Sequence, residues 1–372
     1  MDRFDGSNHI LVECDYITAS AIIHLCMRLV TMKSLFPLIT FIAMVLSIFV
    51  TPSFATEITG AGATFPSPLY AQWADAYKAE TNHIITYNGI GSAGGIKYIK
   101  AAAVTFGGSD MPLPSNELEK SGLIQFPTAI GADVPVINVS GIKSGEVILS
   151  GPILAKIFLG KINKWNDPEI KQLNMNIPLP DLAIVVVHRS DGSGTSFVWT
   201  DYLSKVSPDW KAKVGASTHV KWPLGIGGQG NDGVAKNVME IQGSIGYVEA
   251  AFAKKRHIPV VNMINKSGKI VSPNMKSFEA AAQNTDWLKT EHFNVSLTDQ
   301  PAAEAWPIVS ATFILMRNKP VDTAQSKAAL IFFSWAYEKG AKIATELEYV
   351  PIPDKVVAHI KKIWASEFVF TN

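Results

Sequence analysis

The sequence predicts a mixed α/β fold in two lobes. From Thr56 onward, short runs rich in β-branched residues alternate with amphipathic helical stretches, which is typical of an α/β protein. Two apolar runs, 130–139 and 308–315, are expected to be central strands. The chain has no Pro-rich linker, so we expect these strands, rather than a flexible tether, to cross between the lobes as a hinge.

The individual elements follow from local patterns. Strands are expected over 84–88 and 183–187, where β-branched residues cluster. Helices are expected over 95–103 and 195–205, with another from about Gly233. A chain of 372 residues with 47% hydrophobic content has enough apolar material to bury a core in each lobe.

The first 55 residues are set apart from the predicted fold. Residues 32–55 match a secretory signal peptide, because a basic start precedes an apolar run that ends in small residues. Cleavage is expected after Ala55, which would export the mature protein; the alternative is an uncleaved membrane anchor. Residues 1–31 match no targeting pattern and are expected to be a non-native or unstructured extension.

Charge and cysteine content argue against several classes of function. A net charge of +1 provides no broad basic field, so no nucleic-acid partner is expected and any bound anion must be held locally. Both cysteines, Cys14 and Cys26, precede the expected cleavage site, so the mature chain is expected to contain no disulfide. The histidines after residue 55 are scattered without the spacing of metal ligands, and no metal site is expected.

Three segments share one design, in which a strand leads through a loop rich in Gly, Ser and Thr into a helix. They are 60–66, 89–95 and 189–195. The first turn of a helix leaves N–H groups unpaired and carries a partial positive charge, so each segment is a candidate anion site. The hydroxyls that would add donors are those of Thr64, Ser92, Ser193 and Thr195. Any one loop alone is more often an ordinary helix cap, and it is the occurrence of three, with Arg189 beside one of them, that favours an anion site.

Arg189 lies at the start of the third segment. Its guanidinium offers a planar set of donors to an oxyanion, and Asp191 would hold that group in position and offset its charge. The alternative is a surface ion pair between the two residues, which would contribute little.

Asp110 follows the expected strand Phe106-Gly-Gly-Ser. A carboxylate beside an anion is unfavourable unless the anion carries a proton to donate, as phosphate does at neutral pH and sulfate does not. Asp110 is therefore a candidate selectivity element. The alternative is that it caps a helix expected near Ser115.

Patterns typical of enzymes are weak. Residues 89–94 and 225–230 match the G-x-G-x-x-G dinucleotide pattern, but such matches are frequent by chance and an exported protein would rarely meet NAD. Ser193 lacks the outer glycines of a G-x-S-x-G elbow, and the nearest imidazole, His188, is expected to point away from the anion. No catalytic residue and no cofactor are expected.

Eight short motifs occur in order from Thr59 onward. They are Thr59-Gly-Ala-Gly-Ala-Thr-Phe-Pro66, Gly89-Ile-Gly-Ser92, Phe106-Gly-Gly-Ser-Asp110, Arg189-Ser-Asp-Gly-Ser-Gly-Thr-Ser196, Val220-Lys-Trp-Pro223, Gly230-Asn-Asp-Gly233, Ile245-Gly-Tyr-Val-Glu249 and Ala305-Trp-Pro307. Through these motifs the chain resembles the phosphate-specific periplasmic binding proteins of bacterial ABC-type phosphate uptake systems.

The resemblance implies a type II periplasmic-binding-protein fold, in which each lobe is a mixed sheet flanked by helices. One lobe would comprise 56–130 with 314–372 and the other 131–313. The phosphate-binding residues it implies are Thr64, Phe65, Ser92, Asp110, Arg189, Asp191, Ser193, Gly194 and Thr195, with Asp191 paired to Arg189. Ala93 departs from the family pattern, where a second Ser is common, and would remove a peripheral hydroxyl.

The resemblance also implies a function. The chain would be a monomer that closes around inorganic phosphate in the periplasm and delivers it to an inner-membrane ABC permease and ATPase complex. The alternatives are an exported phosphatase and a binding protein for another oxyanion.

Overall fold

The computed structural model describes residues 57–283 and 285–370; the expected signal peptide and extension lie outside them. The strands are β1 (Glu57–Gly62), β2 (Ile84–Gly89), β3 (Phe106–Ser109), β4 (Leu123–Asn138), β5 (Ile148–Ser150), β6 (Val185–Arg189), β7 (Ile226–Gly228), β8 (Ser244–Glu249), β9 (Asn262–Ile264), β10 (Ile270–Val271), β11 (Val309–Arg317) and β12 (Val350–Pro351).

Helices flank these strands along the chain. They are α1 (Ser67–Thr81), α2 (Ser92–Lys100), α3 (Ser115–Ser121), α4 (Gly151–Phe158), α5 (Pro168–Leu173), α6 (Gly194–Val206), α7 (Pro208–Lys213), α8 (Gly230–Glu240), α9 (Ala250–Lys255), α10 (Met275–Ala282), α11 (Thr323–Glu338), α12 (Ala341–Glu346) and α13 (Asp354–Glu367), with a 3₁₀ turn at Glu291–Phe293. The predicted mixed α/β fold is confirmed.

One long sheet organises this part of the chain. Its strand order is β2-β1-β3-β11-β4-β8-β6-β7, with β12 also on β4, and a smaller sheet has the order β10-β9-β5. The long strand β4 joins the two halves of the large sheet. Its residues 123–132 pair with β11, and its residues 133–138 pair with β8. The two apolar runs expected to be central strands are β4 and β11.

Strand direction determines where the loops of the two halves meet. β1, β2 and β3 run in the same direction as β4, because β11 is antiparallel to both β3 and β4. β8 runs opposite to β4, and β6 and β7 are parallel to β8. The carboxyl ends of the two sets of parallel strands therefore face each other across the middle of β4. Ligands of open α/β sheets bind at such carboxyl ends.

Two expected element boundaries were wrong for a tertiary reason. β4 begins seven residues earlier than the sequence pattern suggested; Pro127 lies within it, where the pairing with β11 shifts register between Thr312 and Phe313. A bulge of this kind tolerates a proline inside a sheet. α2 begins at Ser92 instead of Gly95, and Gly95 is needed within the helix because a Cβ there would lie 2.5 Å from the Gly108 carbonyl oxygen.

Two further boundaries shift slightly. The strand expected over 183–187 is displaced to Val185–Arg189, so that Arg189 ends the strand and does not follow it. The helix expected from about Gly233 begins at Gly230. No helix within residues 57–283 and 285–370 is long and apolar enough to cross a membrane.

Aromatic side chains fill the core beside the first half of the large sheet, which contains β1, β2, β3 and β11 with the first part of β4. Phe333 on α11 lies at the centre of this cluster, with ring centroids 5.1 Å from Phe106, 5.6 Å from Phe126 and 6.5 Å from Tyr70. Tyr70, Phe106 and Phe126 come from the N-terminal part of the sequence and Phe333 from its C-terminal part, so the cluster joins segments that are remote in sequence. Aromatic pairs at these distances add to the free energy gained by burial.

We expect Phe333→Ala to lower the free energy of unfolding by about 3–5 kcal/mol, because it leaves a large cavity in this cluster. The matched control is Ile331→Ala on the same helix, whose side chain is 61% exposed and should cost less than about 1 kcal/mol. Urea denaturation of both variants measures the difference; equal losses would contradict the packing described.

Candidate functional site

The three Gly-, Ser- and Thr-rich loops all connect a strand to a helix, as predicted. Residues 63–66 link β1 to α1, residues 90–91 link β2 to α2, and residues 190–193 link β6 to α6. Because the strands end at facing edges of the two sheet halves, the loops converge. The backbone N–H of Ala93 donates to the Gly192 carbonyl at 3.1 Å, which ties the second loop directly to the third.

Arg189 and Asp191 form a buried bidentate pair. The Arg189 Nε and Nη2 atoms lie 2.8 and 2.5 Å from the two carboxylate oxygens of Asp191. The Arg189 side chain is 1% exposed and that of Asp191 is 16% exposed, so the alternative of a surface ion pair is wrong. Burial alone would raise the pKa of Asp191, but the hydrogen bonds and charge of Arg189 outweigh it and lower that pKa.

The rest of the guanidinium faces the helix α6. Arg189 Nη1 donates to the Thr195 hydroxyl at 3.2 Å, while Nη1 and Nη2 each keep one further N–H. The strand backbone is held as well, because the Arg189 N–H donates to the Tyr247 hydroxyl at 3.2 Å. Tyr247 itself stacks on Trp199 with centroids 4.7 Å apart. The buried cation is therefore fixed from several sides and still has donors to offer.

Three hydroxyl oxygens of the site accept hydrogen bonds from other groups of the protein. Thr64 Oγ1 accepts from the Asn231 side-chain amide at 2.9 Å, Thr195 Oγ1 accepts from Arg189, and Ser193 Oγ accepts from the Ser196 N–H at 3.0 Å. Within the described residues, no hydrogen bond uses the hydroxyl hydrogens of these three side chains. Each hydroxyl is thus oriented by the protein and keeps its own hydrogen for an acceptor.

Backbone donors complete this set. In α6 the N–H groups of Gly194 and Thr195, at the first two helical positions, have no acceptor in the helix, and the same holds for Ser92 in α2. The partial positive charge of each helix start adds to them. The geometry fits an acceptor-rich anion of small size.

Asp110 is the buried acceptor of the site. It is 1% exposed; its N–H donates to Ser92 Oγ at 3.2 Å, and Ser92 Oγ is 3.5 Å from its Oδ2, while its Oδ1 has no hydrogen-bond partner. The alternative of a helix cap is wrong, because α3 begins after Pro114 with no side-chain cap. Burial raises the pKa of Asp110 to about 7, although nearby hydroxyls and the charge of Arg189 lower it.

Gly194 lies where residues from the two halves of the sheet approach closely. A Cβ at Gly194 would be 2.3 Å from Ser92 Oγ and 2.5 Å from Asp110 Oδ2. Any larger residue would force the third loop away from Asp110. The glycine therefore lets the start of α6 approach the acceptor from the other half of the sheet.

Phe65 is also placed at the site but through its backbone. Its ring is fully buried against Tyr349, with centroids 6.1 Å apart, and its carbonyl accepts from the Tyr349 hydroxyl at 2.7 Å. The structure thus brings together all nine residues expected from the sequence, with side-chain, backbone and packing roles divided among them.

Asn231 is a site residue that sequence reasoning did not assign. Its Nδ2 donates to Thr64 Oγ1 and lies 3.4 Å from Thr195 Oγ1, and its Oδ1 accepts from the Glu249 N–H at 2.9 Å. It is fully buried and joins the first loop to the third. The one available signal was its place in the motif Gly230-Asn-Asp-Gly233, which carries no chemistry by itself.

One histidine borders the third loop and another lies on a neighbouring strand. A Cβ built on Gly192 would lie 2.3 Å from His219 Cε1, and the His188 ring stacks on Trp222 with centroids 4.8 Å apart. Within residues 57–283 and 285–370 no group of three or more His, Cys, Asp or Glu side chains is placed to hold a metal ion.

Comparisons with known proteins place this geometry in context. Residues 50–339 match the model of the PBP superfamily domain. The phosphate-binding protein PstS of Xylella fastidiosa (strain 9a5c) is 52% identical over 314 residues, covering 84% of this chain and 86% of the relative. That of Haemophilus influenzae is 49% identical over 313 residues, covering 84% of this chain and 94% of the relative.

A solved structure supports the fold. The phosphate-binding protein from Stenotrophomonas maltophilia has a TM-score of 0.62 at 20% identity, covering 83% of this chain and 93% of that chain. At this identity the similarity concerns the fold alone.

We expect Asp110→Asn to change how stability depends on pH. The pKa of Asp110 rises from its ordinary value of 3.8 to about 7 on folding, so the folded state holds this proton more tightly. The stability gained from this tighter proton binding is complete below the pKa of Asp110 in the unfolded chain. It is lost as the pH rises through the pKa of Asp110 in the folded protein. At about 1.4 kcal/mol per pKa unit, the wild type should lose up to about 4 kcal/mol relative to the variant between pH 4 and 8.

Urea denaturation of both proteins in buffers free of phosphate and sulfate measures this difference. Asp133 and Glu249 are present in both proteins, but their pKa values depend partly on the charge of Asp110, so the difference measures Asp110 together with its effect on them. A stability difference that stays constant with pH would show that Asp110 has an ordinary pKa.

Proposed function

The chain belongs to the PstS family of phosphate-binding proteins within the PBP superfamily, and on this premise we propose that it captures inorganic phosphate for an ABC-type phosphate importer. It is a binding protein and not an enzyme. The observation that carries the proposal is the convergence of oriented donors from facing halves of the sheet around a single buried acceptor, Asp110.

Donors from both halves of the sheet would hold the anion. The first half would contribute the Thr64 hydroxyl, the Phe65 backbone and Ser92, and the second half Arg189 and the start of α6. The residues from α6 and its cap are Ser193, Gly194 and Thr195. Asp191 would contribute indirectly, because it orients the Arg189 fork and offsets its charge.

Selectivity would depend on Asp110. A buried carboxylate can accept a hydrogen bond from a protonated phosphate oxygen, whereas sulfate at neutral pH has no proton to donate. Sulfate would therefore leave a charged acceptor unpaired next to another anion. Sites built around one specific hydrogen bond can discriminate by about 10⁴–10⁵-fold.

The arrangement of β4 supports a hinged, two-lobe mechanism. Its pairing changes from β11 to β8 between Ala132 and Asp133, two residues from the proposed lobe boundary at 130/131. We assign 56–130 with 314–372 to one lobe and 131–313 to the other. Closure of the lobes around phosphate would bring the loops to the contacts described above.

Location and partners follow from the proposed role. We infer export to the periplasm, with the signal peptide cleaved after Ala55, and action there as a monomer. The closed protein would deliver phosphate to an inner-membrane permease and its ATPase. Structural relatives include a protein described as a periplasmic phosphate-binding protein, with a TM-score of 0.65.

We expect Arg189→Ala to weaken phosphate binding at least about 100-fold, because it removes charge-assisted donors and leaves Asp191 buried without its partner. Titration calorimetry with phosphate measures the change. The matched control is Arg256→Ala, which removes a partly exposed arginine paired with Asp232 and should bind like the wild type. Equal affinity of Arg189→Ala and the wild type would refute the proposed site.

We expect Asp110→Asn to reduce discrimination more than affinity. An amide can donate to sulfate, so the ratio of phosphate to sulfate affinity should fall at least about 100-fold while phosphate affinity changes less than about 10-fold. Competition titrations with both anions measure the ratio. Asp209→Asn, at a partly exposed surface carboxylate paired with Lys161, is the control and should keep the wild-type ratio. An unchanged ratio in Asp110→Asn would remove this residue from the account of selectivity.

A further inference from the structure

Three oxygen atoms form a short buried chain next to the first loop. The Tyr349 hydroxyl lies 2.7 Å from the Phe65 carbonyl oxygen and 2.8 Å from Glu249 Oε2. Glu249 ends β8 in one half of the sheet, and Phe65 belongs to the loop after β1 in the other half. The chain of oxygens therefore connects the two halves.

Both contacts have the length of an O–H···O hydrogen bond, and each needs its own hydrogen. Tyr349 has one hydroxyl hydrogen, and the Phe65 carbonyl has none to give. If Tyr349 donates to the Phe65 carbonyl, the second hydrogen has to come from Glu249. The contacts are satisfied together when Glu249 is a neutral carboxylic acid that donates to the Tyr349 oxygen.

The surroundings of Glu249 also favour its neutral form. The residue is fully buried, and its Oε1 has no hydrogen-bond partner among the described residues. Asp133 lies directly opposite in the β4–β8 register and is fully buried as well, with both carboxyl oxygens unpartnered. Two ionised carboxylates in these positions would repel each other.

Charged groups on the other neighbouring elements do not reverse this preference. Glu348, next to Tyr349, and Asp110, after β3, add negative charge, although Glu348 pairs with Lys254 of α9 at 2.7 Å. Arg189 is already held by Asp191. Glu249 Oε2 also accepts from the Ala251 N–H at 2.9 Å. Burial raises the pKa of Glu249 well above its ordinary value and the nearby carboxylates raise it too, which outweighs the hydrogen bonds of Tyr349 and Ala251 that lower it.

We propose that Glu249 is a protonated positioning residue of the phosphate site, which donates to Tyr349 so that Tyr349 can hold the Phe65 carbonyl and thereby the first loop. This inference rests on the proposed function. The main chain of the same residue supports the loop a second time, because the Glu249 N–H donates to Asn231, whose amide donates to Thr64. One residue at the end of β8 thus acts on two neighbouring residues of the first loop.

Two readouts test the proposal on the mature chain. Infrared difference spectroscopy of wild type against Glu249→Gln should show a carboxylic-acid C=O band at neutral pH that the variant lacks; this readout needs no phosphate. Calorimetry with phosphate should show Tyr349→Phe about 10-fold weaker than the wild type, since the Phe65 carbonyl loses its donor. Glu249→Gln, whose amide can still donate to Tyr349, should bind more tightly than Glu249→Ala.

Matched controls separate positioning from general destabilisation. Tyr337→Phe also removes a buried hydroxyl that donates to a carbonyl, that of Pro127 at 2.6 Å, and it should leave phosphate affinity unchanged. Asp133→Asn should leave the Glu249 band in place. A carboxylate band for Glu249, or an affinity of Tyr349→Phe equal to that of the wild type, would overturn the role proposed for Glu249. If the wild-type protein still binds phosphate, the proposed function stands in that case. If the wild-type protein does not bind phosphate, both the proposed function and the role of Glu249 are overturned.

Discussion

The buried pairing of Arg189 with Asp191 is the interaction on which the rest of the site depends. A guanidinium that is almost fully buried needs a compensating charge and a partner for each donor. Asp191 provides the charge and two hydrogen bonds, and its Oδ1 also accepts from the Gly230 N–H at 3.0 Å. The guanidinium donors are therefore present in the interior while the charge of Asp191 offsets that of Arg189. The pair also holds the starts of α6 and α8 together.

The sheet explains why donors from distant segments meet at this pair. β4 is shared by two sets of parallel strands that run toward each other, so loops at their carboxyl ends face one another. Gly194 then permits contact between the start of α6 and Asp110. In the proposed function the same arrangement allows two lobes to separate and close, because β4 continues from one half of the sheet into the other. Affinity would come from many oriented donors, and selectivity from one acceptor.

Much of the fold and site could be predicted from sequence because the loops are local patterns. Each strand, glycine-rich loop and helix is contiguous, so Thr64, Ser92 and Ser193 could be recognised one loop at a time. Asn231 and Tyr349 could not, since they reach Thr64 and Phe65 across 167 and 284 residues. Element boundaries were missed where tertiary contacts decide them: Gly95 and Pro127 resemble breaks locally, but close packing and a bulge accommodate both.

A crystal structure of the mature chain with bound phosphate is the sharpest test of the proposed site. We expect one phosphate between the loops after β1, β2 and β6, with a phosphate oxygen within about 3 Å of an Asp110 carboxyl oxygen. Arg189 and the start of α6 should donate to the other oxygens. Phosphate bound elsewhere, or held at this place with Asp110 turned away from it, would refute the proposed site and its role for Asp110.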